Sequence, residues 1–417
     1  MTSFIVPVTA TMLSNKRIIV GISGGIAAYK IPELIRSLVK AGAEVRVATT
    51  RNALQFVTEL TLQTVSGSRV YSDVFAAINE HATEHISLPE WCDAMIVAPA
   101  TANVLAKTAA GIADDALTTT ICSCIARKPV LFAPAMNDKM WENPATQQAI
   151  ETIRGWENVR VIEPECGALA CGTNGKGRMP EIETLQEALE YALTPQTMRG
   201  KRVLITAGGT QEKIDPVRFI SNYSTGKMGV ALAHACARRG AEVTLVCGAV
   251  SAPVYNPFGA IRRIDALSAQ EMYEVCTAEW SHHDCGILCA AVADFRPAKE
   301  AENKIKKESG VRSQDSGFSL ALEETKDIAS TLGETKRKDQ QLIGFALETE
   351  HEKENALHKM ERKHLDAIVL NSLRDKGAGF GTDTNLVTIL QSDGTTTTLP
   401  LQTKAIISEE ILTALFS

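Results

Sequence analysis

Lys16-Arg-Ile-Ile-Val-Gly-Ile-Ser-Gly-Gly25 is the stretch that decides the fold. A short continuous apolar run ending on paired glycines reads as a strand buried on both faces that runs into a turn. A helical pattern follows, with apolar positions at Ile26, Ile31, Leu34, Ile35 and Leu38, and then a second strand, Ala43-Glu-Val-Arg-Val-Ala-Thr49. Strand, helix and strand in that order give a βαβ unit, and therefore a parallel sheet. Ala94-Met-Ile-Val-Ala98 and Val130-Leu-Phe-Ala133 continue it.

The pattern breaks at Thr194-Pro-Gln-Thr-Met-Arg-Gly200, and the opening then recurs. Lys201-Arg-Val-Leu-Ile-Thr206 runs into Ala207-Gly-Gly-Thr210, followed by a helix from Gly229 to Arg239 and the strand Ala241 to Val246. Both second strands begin Gly-Ala-Glu-Val, at Gly42 and at Gly240. A recurrence of about 200 residues is too long for a solenoid repeat. The expected fold is therefore α/β, with two doubly wound, Rossmann-like domains, residues 1–195 and 196–417. Asp284 to Ala291, Gln341 to Ala346 and Asp366 to Leu370 read as further strands of the second. Leu386 to Leu390 and Thr396 to Pro400 read as a hairpin about Asp393-Gly394.

The composition bounds the function. The 417 residues are 45% hydrophobic and 22% charged with a net charge of -6, an ordinary globular balance. No basic stripe offers the counterion release that nucleic-acid binding needs. Met1 to Asn15 lacks a basic leader region, and no segment has the apolar length to span a bilayer. The expectation is a cytoplasmic protein with no nucleic-acid or membrane partner. The ten cysteines fall mostly in apolar strand and helix patterns without zinc spacing, so neither a disulfide framework nor a structural metal is expected. Cys171 is set apart by its surroundings.

Chemistry concentrates at strand ends, where ligands collect in doubly wound sheets. Ser23, Gly24 and Gly25 form a turn into a helix that can offer backbone N–H groups to a phosphate. GxGxxG spacing and an acidic partner are missing, which disfavours NAD. Thr49 closes the second strand. Pro99, Thr101 and Asn103, after the Ala94 strand, combine small side chains that let a flat ring approach with hydroxyl and amide groups for its polar edge, a better match to a mononucleotide flavin. Pro134-Ala-Met-Asn-Asp-Lys-Met-Trp141 puts the uncharged amide of Asn137 where a strand runs out, beside Met136, Met140 and Trp141. Such an amide can hold a carboxylate without protonating it; equally, Asn137 could simply cap a helix. Leu169 to Glu181 is a glycine-rich loop carrying Cys171, Lys176 and Arg178, whose charges favour thiolate and suit an anionic substrate. In the second half, Ser221 and Met228 break the P-loop pattern around Thr225-Gly226-Lys227. Asp294 and Phe295 follow a strand, and Lys304, Lys306 and Lys307 bring three cations that can neutralise a triphosphate.

Taken in order, Ser23 to Lys30, His85, Ala98 to Asn103, Pro134 to Trp141 and Leu169 to Met179 resemble the homo-oligomeric flavin-containing cysteine decarboxylases. With the second half, the chain resembles the family of bacterial bifunctional phosphopantothenoylcysteine decarboxylase and phosphopantothenate-cysteine ligases. The resemblance implies FMN as cofactor and 4'-phosphopantothenate, cysteine, CTP and 4'-phosphopantothenoylcysteine as small-molecule substrates. It implies that the cysteine moiety is oxidised at the expense of FMN, that its carboxylate then leaves, and that the product is reduced again. His85 would be the base, Asn137 would hold the carboxylate and Cys171 would return a proton; Met136 would lie at the flavin. For the ligase, Asn222 would support an acyl-nucleotide, Lys304 would assist its formation, and Asp294, Phe295 and Phe345 would lie at the nucleotide. Magnesium is expected with the triphosphate, with no protein cage for it visible, and the residues alone do not separate CTP from ATP. Glu324-Thr-Lys-Asp-Ile328 stands where the family usually has Lys-Asn-Pro-Asp-Ile, so no role is assigned to Thr325 or Lys326.

Overall fold

The first strand is a continuous apolar run because both of its faces are covered. In the computed structural model, which describes residues 11–75, 84–168, 174–306, 319–348, 351–372, 379 and 381–416, Ile18, Val20 and Ile22 pack on one side of the sheet with the helices Ile31–Lys40 and Ile182–Leu193. Ile19 faces the other way, into a core shared with the helices Ala102–Ala109, Ala116–Ile125 and Pro144–Arg154. All four side chains have no exposed surface. Strands buried on both faces need no polar alternation, which is why the sequence shows none.

Six parallel strands form this sheet: β1 (Arg17–Ile22), β2 (Glu44–Thr49), β3 (Val70–Tyr71), β4 (Ala94–Ala100), β5 (Val130–Pro134) and β6 (Val159–Val161). Their order is β3-β2-β1-β4-β5-β6, the doubly wound arrangement whose direction of winding reverses between β1 and β4. A separate antiparallel hairpin, β7 (Glu165–Ala168) and β8 (Asn174–Arg178), follows.

The second half repeats the plan with β9 (Arg202–Ala207), the short pair β10 (Glu212–Lys213) and β11 (Phe219–Ile220), β12 (Glu242–Cys247), β13 (Ile261–Asp265), β14 (Cys285–Leu288), the pair β15 (Phe295–Pro297) and β16 (Leu322–Glu324), β17 (Gln341–Glu348), β18 (Ala367–Ser372), β19 (Thr384–Gln391) and β20 (Thr396–Thr403). The main sheet runs β13-β12-β9-β14-β17-β18-β19-β20 and reverses between β9 and β14. Its first six strands are parallel; β19 and β20 are antiparallel additions, the hairpin read from Asp393-Gly394. The chain falls into two compact units, Met1–Pro195 with Tyr255–Phe258, and Gln196–Val254 with Gly259–Ser417. No helix among the described residues is long and apolar enough to cross a membrane.

One sequence expectation fails locally. Ile26 is 55% exposed and lies in a 3-10 turn, Ile26–Lys30, rather than on the buried face of the helix. Pro32 explains the break: an α-helix running through it would set its ring against the carbonyl of Ala28, so the α-helix starts only at Ile31. Ile26 is thereby turned outward.

In the second unit the helices Lys227–Arg238 and Lys404–Phe416 cover one face of the sheet. Between them Glu409 accepts hydrogen bonds from Arg238 (3.1 and 3.0 Å) and Arg239 (2.9 Å), with Arg238 and Glu409 buried. His234 lies one turn before Arg238, and burial together with that guanidinium pushes its pKa from 6.5 down to about 4. The unfolded chain therefore takes up a proton near pH 6.5 that the folded chain refuses until about pH 4. His234 stabilises the fold fully above pH 6.5, and that contribution disappears as the pH falls from there to about 4. Denaturant midpoints measured between pH 4 and 7 should fall on acidification, and His234→Gln should flatten the slope. An unchanged slope in the variant would assign the acid sensitivity to other groups.

Candidate active sites

At the reversal point of the first sheet, a serine ties the two diverging strand ends together. Ser23 is fully buried; its hydroxyl donates to the Pro99 carbonyl (2.7 Å) and accepts from the Thr101 N–H (3.0 Å), across a cis Ala98-Pro99 bond. Gly24 and Gly25 then open a cavity of about 620 Å³, with Thr101, Met136, Asn137 and Gly177 among its walls. Ile26, Tyr29 and Met140 are at least 49% exposed around it. Large apolar side chains left facing an open cavity are the signature of a site for a flat apolar ligand. Beside the turn, Thr49 pairs in register with Ile22, and its hydroxyl is buried without a hydrogen-bond partner. Such a group is satisfied by a bound polar edge, so these residues fit a flavin.

Asn137 caps a helix and also stands at the cavity. Its side-chain oxygen accepts from the Lys139 N–H (2.9 Å), capping the short helix Asp138–Trp141, and it also lines the cavity. Trp141 is core, whereas Met140 is half exposed, so only Met136 and Met140 of the apolar trio line the cavity.

Strand β8 lies directly on this loop. The Met136 N–H donates to the Gly177 carbonyl (3.0 Å), and Gly177 has φ +149°. A Cβ there would stand 2.2 Å from the Met136 oxygen. The cations on β8 are already engaged: Lys176 pairs with Glu163 (2.6 Å) and lies over the Trp141 ring, while Arg178 and Lys30 share Glu181. Two cations against one carboxylate leave the cavity wall formed by Lys30 and Arg178 net positive, which suits an anionic substrate.

The remaining residues are more scattered. His85 is half-buried on the helix Glu84–Trp91 and Asn103 is exposed on the helix Ala102–Ala109; neither lines the cavity. Cys171, within residues 169–173, lies outside the described residues. Among the described residues no group of three His, Cys, Asp or Glu side chains is placed to hold a metal ion.

In the second unit the strand ends are pinned by backbone contact. Gly209 bridges to Ala249 and to Ala291, and a Cβ on it would lie 2.5 Å from the Asn222 oxygen. Asn222 donates to the Ala291 carbonyl and accepts from the Ser224 N–H (3.0 Å), so it is fixed at the reversal point. Thr206 and Thr210 accept from the N–H groups of Ala290 (3.1 Å) and Ala293 (2.9 Å), holding the loop that carries Asp294.

Two cavities open on either side of that loop, of about 380 and 260 Å³, and they share Ala290, Val292, Asp294, Phe345 and Lys359 as a common wall. The larger is lined by Phe295, Thr325, Lys326 and Lys363 in addition. Burial raises the Asp327 carboxyl, but the Lys363 ammonium (2.8 Å) and the Ser330 N–H outweigh it and hold it below the usual carboxylate range. The Thr325 hydroxyl is spent on the Ala293 carbonyl (2.6 Å), and Lys326 lies 4.8 Å from the centre of the Tyr273 ring. The smaller cavity contains the start of the helix Lys227–Arg238, with Lys227 paired to Asp383 (2.6 Å), and the buried Lys404, whose ammonium donates to the Thr382 (2.6 Å) and Gly379 carbonyls. Burial, reinforced by Lys227, lowers the Lys404 pKa.

Lys304 and Lys306 are exposed and line neither cavity; the segment is held through Ile305, whose N–H donates to Asp215 (3.1 Å). Lys307 lies outside the described residues. The cations that do line the larger cavity are Lys326, Lys359 and Lys363. The sequence reading missed Lys359 and Lys363, although two lysines four apart at the end of a helix that follows a strand place both charges on one face.

Residues 8–193 match the family described as Flavoprotein, and residues 198–417 match the DNA/pantothenate metabolism flavoprotein C-terminal domain. The chain is 45% identical over 404 residues to the coenzyme A biosynthesis bifunctional protein CoaBC of Bacillus subtilis (strain 168), covering 96% of this chain and 97% of that one. It is also 45% identical over 362 residues to a cysteine/cysteine sulfinic acid decarboxylase from an unknown prokaryotic organism, covering 85% of this chain and 98% of that one. Among solved structures, the crystal structure of the C-terminal domain of a coenzyme A biosynthesis bifunctional protein CoaBC is 40% identical, with a TM-score of 0.43, covering 53% of this chain and 96% of that chain.

The contact of β8 with the Met136 loop yields a direct expectation. Gly177→Ala should displace β8 from Met136 and enlarge the first cavity, weakening flavin retention by about tenfold or more while the core stays folded. Flavin content after gel filtration, read against the far-ultraviolet dichroism of the same sample, checks it. Full flavin content would mean that β8 is not needed to close the site.

Proposed function

The chain belongs to the family of bifunctional coenzyme A biosynthesis proteins, and from that membership we propose how its two units carry out the work. The protein is an enzyme with two activities, phosphopantothenate-cysteine ligase and phosphopantothenoylcysteine decarboxylase. Residues 1–195 form the decarboxylase and 196–417 the ligase. The decarboxylase takes FMN; the ligase takes CTP with magnesium. We further read the protein as a cytoplasmic homo-oligomer whose substrates are small molecules.

The observation that carries the ligase reading is the common wall of the two cavities. Joining an acid to an amine through a nucleotide requires the carboxylate and the α-phosphate to meet while the rest of each molecule is held apart. The triphosphate occupies the larger cavity against Lys326, Lys359 and Lys363, with Asp294, Phe295 and Phe345 around the nucleoside. The acid substrate occupies the smaller one, its phosphate at the first turn of the helix Lys227–Arg238 beside Lys227. A carboxylate oxygen then attacks the α-phosphorus and pyrophosphate leaves. The amine of cysteine next attacks the acyl carbon, and the nucleoside monophosphate leaves. Asn222 steadies the acyl-nucleotide, Lys304 assists its formation, and the charges of Lys304, Lys306 and Lys307 offset those of the triphosphate. No protein cage is needed for magnesium, which prefers to keep waters and phosphate oxygens as its ligands.

In the first unit, Ser23 to Gly25, Thr49, Pro99, Thr101, Asn103 and Met136 hold the flavin. When bound, FMN supplies reversible oxidation of the substrate's cysteine moiety, which makes the neighbouring carboxylate labile. Asn137 donates to that carboxylate, Met136 and Met140 exclude water, His85 removes a proton and Cys171 returns one.

The overall reading is tested by incubating the purified protein with 4'-phosphopantothenate, cysteine, CTP and magnesium and identifying the product by mass spectrometry. Formation of 4'-phosphopantetheine is expected, and NAD(P)H consumption in its place would refute the reading. Two variants separate the sites. Asn137→Asp sets a carboxylate against a carboxylate, a repulsion of about 4 kcal/mol at an effective dielectric of ~20, so carbon dioxide release should fall roughly a thousandfold while flavin and pyrophosphate release persist. Lys304→Gln should do the converse, lowering pyrophosphate release by roughly 10- to 100-fold with decarboxylation intact. Equal loss of both activities in either variant would indicate one composite site.

A further inference from the structure

At the carboxyl edge of the second sheet, one buried acceptor has no donor. Asn371 is the penultimate residue of β18, in register with Leu347 of β17 on one side and Val387 of β19 on the other. Its side chain lines the smaller cavity of the ligase unit, and its Oδ1 is buried without a hydrogen-bond partner. Leaving an amide oxygen dry and unpaired costs free energy, and among the described residues the neighbouring polar side chains on that cavity are otherwise engaged. Lys227 is bound to Asp383 and the Gly381 carbonyl, Lys404 to two backbone carbonyls, and Asn385 to the Met228 sulfur and the Leu386 N–H.

We propose that Asn371 is a specificity-determining residue of the ligase, whose Oδ1 accepts a hydrogen bond from the neutral middle of the acid substrate. The inference rests on the assignment of this cavity to 4'-phosphopantothenate. That molecule has an anion at each end and two donors between them, a secondary hydroxyl and an amide N–H. Its phosphate is matched by the helix start and Lys227, and its carboxylate by the wall of Ala290, Asp294 and Lys359 shared with the nucleotide. What is left for an uncharged acceptor is one of the two middle donors. A site that buries an acceptor for such a donor rejects an analogue lacking it much more strongly than an apolar wall would, because the acceptor is then left unpaired. Asn371 accordingly discriminates against simple ω-phosphorylated acids, which satisfy both charged ends and offer no middle donor.

The role makes a pair of opposite predictions for one substitution. Asn371→Leu keeps the branched skeleton of the side chain and removes the unpaired oxygen, so the ligand-free protein should melt at an equal or higher temperature, while KM for 4'-phosphopantothenate rises by about tenfold. KM for CTP and the rate of carbon dioxide release from 4'-phosphopantothenoylcysteine should not change. Two analogues identify the donor, one lacking the secondary hydroxyl and one with the amide N-methylated. The native protein should bind one of them about tenfold more weakly than the parent, and Asn371→Leu should not distinguish that analogue from the parent. An unchanged KM for 4'-phosphopantothenate in the variant, or native binding indifferent to both analogues, would overturn the proposal. Failure of the native protein to release pyrophosphate with 4'-phosphopantothenate and CTP would instead overturn the ligase reading on which it stands.

Discussion

Both units depend on one topological constraint: two adjacent parallel strands whose connections leave in opposite directions cannot have their ends closed over by the same loop. A crevice results at β1/β4 and again at β9/β14, and each must be kept open yet rigid. The first unit does this with a side chain, the Ser23 hydroxyl joining Pro99 and Thr101. The second does it with main chain, Gly209 meeting Ala249 and Ala291, and with Thr206 and Thr210 bonded to the loop opposite. Everything that lines a cavity in either unit is positioned relative to these clasps.

Charge is handled alike in the two units. Cations that face a cavity are held by carboxylates or carbonyls before any ligand arrives: Lys30 and Arg178 by Glu181, Lys363 by Asp327, Lys227 by Asp383. Such partners fix the side chains in place, so less rotamer freedom remains to be lost when an anion binds. At the first cavity the arrangement still leaves net attraction, because Glu181 serves two cations; the larger cavity of the second unit sets Lys326, Lys359 and Lys363 against Asp294, Glu324 and Asp327.

The fold was largely legible because its signals are local. The runs at Lys16 and Lys201 each encode a strand buried on both faces, and the glycine turns after them announce the reversal points. Ile26 misled because its spacing fits the helix while Pro32, six residues later, forbids the helix from reaching it. Within the sites, strand-end residues such as Thr101, Met136, Asn137, Asp294 and Phe345 could be found from their position alone, since strand ends converge in any doubly wound sheet. Lys359 and Lys363 could not be found that way, because they lie at the end of a helix more than 60 residues beyond Asp294 in the chain and are brought to it only by the fold. Conversely, the lysines at 304 and 306 are close to Asp294 in sequence yet stand outside both cavities. Spacing along the chain predicts proximity within an element, and these residues belong to different elements.

The antiparallel pair β19 and β20 gives the second sheet an extension that the first sheet lacks. A six-stranded parallel sheet with a reversal point is sufficient to receive a nucleotide, and the larger cavity draws nothing from beyond Leu365. The smaller cavity, by contrast, takes Asn371, Gly379, Gly381, Asn385 and Lys404 from the end of β18, the start of β19 and the helix after β20. The smaller cavity is thus built in large part from the appended elements, and the larger one from none of them. A change in those appended elements would therefore reshape the smaller cavity while leaving the lining of the larger one in place.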